Sequence, residues 1–213
     1  MEHRRATVTA TDGTRLAARL WLPDELPAPV VLEALPYRMD DLTATYASEY
    51  ERLCEEGGLA VCRLDVRGTG SSGGIATDEY TAEEHHDICE VIAWLAAQAW
   101  SNGRVGMYGA SWSGFNSLQV ACLRPPALHA IAPIYASDDR YTDDVHYIGG
   151  ALKAVDLVDW VLYMCLTRST RRSQVEASLK SPSVDVLIPD VGNPTAPATK
   201  KMSIRPSHCV GIE

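Results

Sequence analysis

The chain has 213 residues, of which 46% are hydrophobic and 22% charged, with a formal net charge of −9. This length allows one large or two small domains with a substantial buried core. The acidic charge argues against nucleic acid and anionic membrane surfaces as partners. The sequence contains no run of 18 apolar residues, so we expect no transmembrane helix. The N-terminus lacks the continuous apolar core of a secretory signal, so we expect a cytoplasmic protein.

Six cysteines are scattered along the chain without a CxxC pair; they are Cys54, Cys62, Cys89, Cys122, Cys165 and Cys209. Four of them fall within apolar segments that we expect to be helices or strands. We interpret the cysteines as small buried hydrophobes of a reducing compartment, with disulfides or a zinc site as the alternatives.

In the N-terminal third of the chain, the residue pattern predicts three strands, one helix and then a fourth strand. Alternating residues on either side of the Asp12-Gly13 turn predict a β-hairpin, and a mostly apolar run predicts a buried strand. A helix stopped by two glycines, a further strand and a glycine-rich loop follow. The segments are Ala6–Thr11 and Arg15–Leu22 (hairpin), Pro29–Leu35 (strand), Thr45–Glu56 (helix), Leu59–Val66 (strand) and Arg67–Gly74 (loop).

The middle of the chain alternates helices with strands. Thr81 and Glu84 form a capping-box pattern before apolar residues at helical spacing, namely Ile88, Val91, Ile92 and Leu95. A strand (Arg104–Tyr108), a helix (Phe115–Leu123) and another strand (Leu128–Ala136) follow. This alternation predicts an α/β fold with a largely parallel sheet covered by helices on both faces.

The character of the sequence changes at residue 164. No aromatic residue follows Tyr163, and residues 164–213 carry seven basic against four acidic side chains, net +3, which leaves −12 for residues 1–163. The segment has little apolar surface to offset its ordering entropy. We therefore expect a first domain over residues 1–163 and an atypical, mostly disordered or non-homologous tail over residues 164–213.

The most informative segment is GASWSG, from Gly109 to Gly114. A strand, a tight glycine turn with Ser111 at its apex and a helix form the layout of a nucleophile elbow, which projects a hydroxyl above a parallel sheet. Gly109 and Ser113 supply the small residues on either side of the serine, and Gly114 follows. The alternative is a chance serine in a glycine-containing turn.

The elbow resembles the G-x-S-[YW]-x-G form of the cocaine-esterase-like and X-Pro dipeptidyl-peptidase-like serine hydrolases. Further segments agree with that family in the same order along the chain, together covering roughly residues 5–162. They are Leu35–Arg38 (LPYR), Asp65–Gly73 (DVRGTGSSG), Trp94–Tyr108 (WLAAQAWSNGRVGMY) and the stretch from Ala132-Pro133 through Asp138–Tyr141 to His146-Tyr147.

The resemblance implies an α/β-hydrolase that cleaves a small-molecule ester or an amide or peptide bond through an acyl-enzyme, with no cofactor or metal. It makes Ser111 the nucleophile, with the backbone N–H of Trp112 and the hydroxyl of Tyr37 as oxyanion donors. A simple packing role is the alternative for Tyr37. The loop from Asp65 to Gly74 is interpreted as structural, with Arg67 in a salt link to a nearby carboxylate. Oligomeric state is left open.

A serine nucleophile needs a histidine base and an orienting acid, which follow the serine in chain order in this fold. The family supplies both far downstream, and no segment here matches those motifs, so the triad acid and histidine are left unassigned. We expect the sheet to be truncated before its last strands. The alternative functions are a catalytically incompetent fragment and a binding module without chemistry.

Local residues offer weak substitutes for the missing partners. His146 could act with Asp138 or Asp139, and His208 has the right chain order but lies in the atypical tail. His129 is interpreted as a structural residue, and the remaining histidines, His3, His85 and His86, as solvated surface. An acidic cluster beside His146 (Asp138, Asp139, Asp143 and Asp144) lacks a recognised spacing of metal ligands.

Overall fold

A computed structural model describes residues 1–40 and 47–169 and the backbone of 184–189 and 199–204, with side chains for residues 1–40 and 48–164. The chain divides into two compact units, Met1–Arg168 and Ser169–Glu213. In the second unit, strands Val184–Pro189 and Thr199–Ile204 form an antiparallel pair. The predicted disorder of the tail falls mainly on residues outside the described ranges and stays a prediction.

The first unit is built on a six-stranded sheet. Its strands are β1 (Glu2–Thr9), β2 (Arg15–Leu22), β3 (Ala28–Leu35), β4 (Ala60–Asp65), β5 (Ser101–Ala110) and β6 (Leu128–Ile134). Their spatial order is β1-β2-β4-β3-β5-β6. Strands β4, β3, β5 and β6 run parallel, and β2 pairs antiparallel with both β1 and β4. The predicted hairpin and mostly parallel sheet are confirmed.

Four helices and a small antiparallel pair complete this unit. The helices are α1 (Ala47–Glu55), α2 (Ala82–Ala96), α3 (Trp112–Leu123) and α4 (Ala154–Ser169), and the pair is β7 (Tyr147–Ile148) with β8 (Ala151–Leu152). Strand β1 begins four residues before the predicted Ala6, because the polar residues Glu2–Arg5 continue the backbone ladder against β2. Helix α4 extends beyond the domain boundary expected at residue 163.

Helices cover both faces of the sheet, as predicted. Adjacent residues of a strand point to opposite faces. On β4, Val61 packs in a cluster with Tyr50 and Cys54 of α1, whereas Cys62 belongs to the main core with Ile88 of α2. The predicted apolar positions of α2 are fully buried in that main core.

Helix α2 starts where its capping pattern predicts. The Thr81 hydroxyl accepts a hydrogen bond from the Glu84 backbone N–H at 3.1 Å. The Glu84 carboxylate, only 5% exposed, accepts hydrogen bonds from Trp112 Nε1 at 2.7 Å and Asn116 Nδ2 at 2.8 Å. Glu84 therefore ties the start of α2 to the first turns of α3.

The glycine-rich loop after β4 is organised by a buried carboxylate. Asp65, at the end of β4, accepts hydrogen bonds from the backbone N–H groups of Met39 and Ser71, both at 2.9 Å. Burial raises the pKa of Asp65, and these two bonds oppose the rise. Gly70 has φ +50°, and a Cβ there would lie 1.9 Å from Asp65 Oδ2. Only glycine lets the loop close this tightly over the carboxylate.

Arg67 makes the predicted salt link. Its guanidinium donates to both carboxylate oxygens of Asp87 at 2.6 Å and to Asp12 Oδ2 at 2.6 Å. The loop is thereby fixed both to helix α2 and to the β1–β2 turn. Fork-to-fork geometry of this kind is among the stronger arrangements of charged hydrogen bonds.

The cysteines partly follow the expectation. Cys54 and Cys62 are buried, Cys89 is half-buried and Cys122 is exposed on α3; all four are free thiols. Cys122 therefore departs from the buried role expected for these residues, because it lies on the outer face of its helix. The side chains of Cys165 and Cys209 lie outside the described residues. Within the described ranges, no helix is long and apolar enough to cross a bilayer.

Replacing Arg67 with methionine should lower the free energy of unfolding by about 3 kcal/mol, because it leaves the nearly buried Asp87 carboxylate without its charged partner. The control is Arg52→Met, which breaks an exposed i,i+4 pair with Glu56 and should cost at most about 1 kcal/mol. Urea unfolding followed by circular dichroism measures both. Equal losses in the two variants would contradict the assignment of Arg67 as a structural anchor.

Candidate active site

Ser111 lies at the junction of β5 and α3, where the sequence predicts a nucleophile elbow. Its backbone has φ +57° and ψ −114°, a conformation that non-glycine residues rarely adopt. The turn is held by a hydrogen bond from Ser111 N–H to the Ile134 carbonyl, and by one from Phe115 N–H to the Ser111 carbonyl, each 2.9 Å. Such strain persists only where the surrounding structure enforces it.

The two elbow glycines lie where there is no room for a side chain. Gly109 has φ +141°, and a Cβ there would lie 2.5 Å from Ser113 Cβ. A Cβ on Gly114 would lie 2.6 Å from the Ile134 carbonyl oxygen of β6. Ser113 is fully buried and links two strands, because its hydroxyl donates to the Tyr108 carbonyl at 2.7 Å and accepts from Ala34 N–H at 3.2 Å.

The Ser111 hydroxyl points away from its own helix. It caps no backbone N–H of α3, and it lies close enough to the phenol of Tyr37, two residues beyond the end of β3, to affect the pKa of that phenol. The structure thus brings together two residues 74 positions apart that the sequence assigns to one site. Burial raises the pKa of Tyr37 well above its ordinary value, although the neighbouring Ser111 hydroxyl opposes the rise. The phenol therefore stays protonated at neutral and mildly alkaline pH.

Trp112 starts helix α3 directly after the serine. The first N–H groups of a helix have no acceptor within the helix, and they carry partial positive charge. The Trp112 side chain is not involved in binding the oxyanion. It is 1% exposed, and its indole N–H donates a hydrogen bond to Glu84. The backbone N–H that the resemblance implies as an oxyanion donor therefore belongs to a residue whose side chain is firmly anchored.

Aromatic rings pack around Tyr37 and Trp112, the two residues assigned to the site with Ser111. We call the group of Tyr37, Tyr80, Trp112, Trp160 and Tyr163 the aromatic cluster; its neighbouring ring centroids lie 4.5–6.4 Å apart. Leu35 and Met164 are buried against it. Because these surroundings are apolar, charges and hydrogen bonds in them interact more strongly than they would in water.

Glu79 binds one edge of the aromatic cluster, and no local pattern in the sequence marks it as part of the site. Its carboxylate accepts from Trp160 Nε1 at 2.6 Å and lies 3.4 Å from His146 Nε2. Arg140 stacks over Tyr80 with its guanidinium carbon 4.9 Å from the ring centroid. The sequence shows only that aromatic residues are concentrated before position 163, and this concentration does not indicate which carboxylate binds them.

Four of the five histidines in the described ranges have partners away from Ser111. His3 stacks on Trp21, His86 lies 3.1 Å from Glu90, His129 Nδ1 lies 2.8 Å from the Ala127 carbonyl, and His146 faces Glu79. His85 is half-buried, and burial lowers its pKa, so its assignment as solvated surface is wrong. None of these five side chains is hydrogen-bonded to Ser111. His208 lies outside the described residues.

The acid and histidine weighed as local substitutes are not paired with each other. Asp139 accepts hydrogen bonds from the backbone N–H groups of Tyr141 and Thr142, whereas His146 faces Glu79. Asp144 binds Arg140 at 2.9 Å. In the described part of the chain, no three His, Cys, Asp or Glu side chains are grouped to hold a metal ion.

Comparison with known proteins identifies the family. The family model described as X-Pro dipeptidyl-peptidase (S15 family) matches residues 12–190. The chain belongs to the S15 family. The resemblance seen in the elbow and the neighbouring motifs is thereby confirmed, and members of this family are serine esterases and peptidases.

Individual relatives agree with this assignment. The chain is 35% identical to cocaine esterase of Rhodococcus sp. (strain MB1 Bresler) over 156 residues, which are 72% of this chain and 27% of the esterase. An α-amino acid ester hydrolase superposes with a TM-score of 0.66 at 28% identity over 78% of this chain and 30% of its own.

A CocE/NonD family hydrolase of Staphylococcus aureus gives a TM-score of 0.69 at 24% identity, over 85% of this chain and 36% of that one. This likeness and the strand order confirm the predicted α/β-hydrolase fold. The chain spans about a third or less of the length of each of these three proteins.

Gly114→Ala tests the packing that shapes the elbow. Alanine normally stabilises a helix relative to glycine, yet here its Cβ would press on the Ile134 carbonyl, so we expect a loss of about 1–3 kcal/mol. Gly106→Ala on the same strand–helix unit is the control, because its Cβ would sit at an ordinary 3.5 Å from the nearest atom. Thermal and urea unfolding measure both, and an unchanged or stabilised Gly114→Ala would contradict the close approach.

Proposed function

We propose that this chain carries the nucleophile and oxyanion site of a serine hydrolase that cleaves an ester or an amide bond through an acyl-enzyme. The single observation that carries the proposal is the Ser111 hydroxyl, which leaves a strained turn and meets the phenol of Tyr37. Membership of a family of serine esterases and peptidases supports the same chemistry.

In the proposed first step, Ser111 Oγ attacks the carbonyl carbon of the substrate and its proton passes to a general base. The carbonyl oxygen gains negative charge, which the Tyr37 hydroxyl and the Trp112 N–H stabilise by hydrogen bonds. The tetrahedral intermediate then collapses, and the alcohol or amine leaves with a proton. Water attacks the acyl-serine in the second step, releasing the carboxylic acid and restoring the Ser111 hydroxyl.

The general base must come from outside the described residues, because none of the five histidines within them is hydrogen-bonded to Ser111, and four of the five are held by other partners. A serine without a base is a weak nucleophile at neutral pH. The chain by itself would then react slowly and would behave as the incompetent fragment that the sequence left open as an alternative function.

The family supports a proposal for the class of substrate. One relative is named for an ester substrate and the family for X-Pro dipeptidyl peptides. We therefore propose a small ester or a short peptide-like amide as the substrate. The aromatic cluster gives the acyl or leaving group an apolar surface beside Ser111.

A fluorophosphonate probe should phosphonylate Ser111, and Ser111→Ala should abolish both the labelling and the hydrolysis of a p-nitrophenyl ester. Peptide mass spectrometry locates the label, and Ser117→Ala, a buried serine on the same helix, is the control. Labelling with no ester turnover would support the incompetent-fragment alternative. Equal labelling of the native protein and Ser111→Ala would refute Ser111 as the nucleophile.

Tyr37→Phe should slow labelling and hydrolysis by about 10²- to 10³-fold, the usual effect of removing one oxyanion donor. Tyr163→Phe is the matched control, since its ring contacts Tyr37 in the same aromatic cluster, and it should change the rate less than 3-fold. Because the pKa of Tyr37 is raised, the advantage of tyrosine over phenylalanine should persist to mildly alkaline pH. If Tyr37→Phe reacts as fast as the native protein, Tyr37 has only a packing role.

A further inference from the structure

A buried ion pair lies beneath both halves of the candidate site. Glu33 of β3 and Arg63 of β4 are direct partners across the two parallel strands, with side chains 7% and 2% exposed. Arg63 NH1 lies 3.5 Å from Glu33 Oε2, and the same carboxylate oxygen accepts a hydrogen bond from the Tyr50 hydroxyl of α1. Neither charged residue touches Ser111, and the proposed chemistry gives neither of them a role.

Arg63 connects this pair to the oxyanion tyrosine. Its NH2 group donates to the backbone carbonyl of Tyr37 at 3.3 Å. The next residue, Arg38, has φ +31°, a strained value for a residue other than glycine. The backbone turn that carries the Tyr37 phenol to Ser111 is therefore strained, and a strained turn needs a fixed partner to persist.

Glu33 connects the pair to the elbow. A Cβ built on Gly109 would lie 2.8 Å from Glu33 Oε1, so this carboxylate fills the space beside the glycine that precedes the elbow. One ion pair therefore touches the backbone of both segments that must meet: the turn at residues 37–38 and the elbow at residue 109.

Stability alone gives little reason for such a pair. Removing two charges from water costs several kcal/mol per ion, and well-packed hydrophobic residues in place of a buried ion pair often leave stability unchanged or higher. A guanidinium nevertheless does what an apolar side chain cannot: it binds a carboxylate and a backbone carbonyl at once.

We propose that Glu33 and Arg63 form a positioning pair that holds the Tyr37 phenol at the Ser111 hydroxyl. This inference rests on the proposed function, because it assigns Arg63 to the support of an oxyanion donor. Arg63 anchors the Tyr37 carbonyl, and Glu33 fixes the direction of the guanidinium while packing against Gly109. Neither residue contacts the reacting atoms.

The test uses two readouts on the full chain. In the first, 3-fluorotyrosine is placed at position 37, and its ¹⁹F resonance reports the environment of the phenol without any need for turnover. Ser111→Ala defines the resonance of a phenol that has lost its serine partner. In the second, a fluorophosphonate probe gives the rate of labelling of Ser111.

We expect Arg63→Met to move the ¹⁹F resonance toward that of Ser111→Ala and to slow labelling by about 10- to 100-fold, the effect of a misplaced rather than missing donor. Arg63→Lys keeps the charge but loses the fork, so it should give an intermediate shift. Glu33→Gln should shift the resonance in the same direction. Arg67→Met, which breaks a buried ion pair of similar exposure away from Tyr37, should leave the resonance in place.

The proposal is overturned if folded Arg63→Met keeps the native resonance and labelling rate, or if Arg67→Met produces the same changes. Should Arg63→Met fail to fold, Arg63→Lys and Glu33→Gln decide by the same two criteria. A ¹⁹F shift in Arg63→Met with no labelling of the native protein would uphold the positioning pair and count against the proposed hydrolase chemistry of this chain. The two ideas can thus fail separately.

Discussion

The close approach of β5, α3 and β6 is the constraint on which the candidate site depends. Contact distances at Gly109 and Gly114 leave no room for a Cβ, so strand and helix meet at a corner too sharp for an ordinary backbone turn. Ser111 makes this sharp turn possible by adopting a positive φ, and its hydroxyl does not cap the helix. The contact with Tyr37 follows from that single local conformation.

Buried carboxylates hold the segments around this corner. Glu84 binds α2 to α3, Asp65 binds the segment after Tyr37 to the glycine-rich loop, and Glu33 binds β3 to β4 and α1. Each links stretches of chain that are distant in sequence, and each is satisfied by N–H or O–H donors, as the burial of charge requires. The site is therefore supported by polar contacts within an otherwise apolar core.

Much of this architecture is legible in the sequence, because apolar runs, glycine stops and a capping serine or threonine act over a few residues. The strands, the Thr81 cap, the elbow and the Arg67 salt link follow from such local signals. The partners of Glu79, Glu84 and Arg63 do not, since they depend on which elements pack together. The half-burial of His85 and the exposure of Cys122 were missed for the same reason: periodicity places a residue on a helix without saying how deeply that face is covered.

Trp112 is anchored by its side chain, whereas its proposed role as an oxyanion donor belongs to its backbone. Its indole is locked to Glu84, while its amide belongs to the chain itself and is carried by every residue type except proline. Conventional side-chain scanning at this position would therefore report on anchoring and overlook the group beside the nucleophile. Replacing the peptide bond with an ester linkage would remove that amide hydrogen and leave the ring where it is.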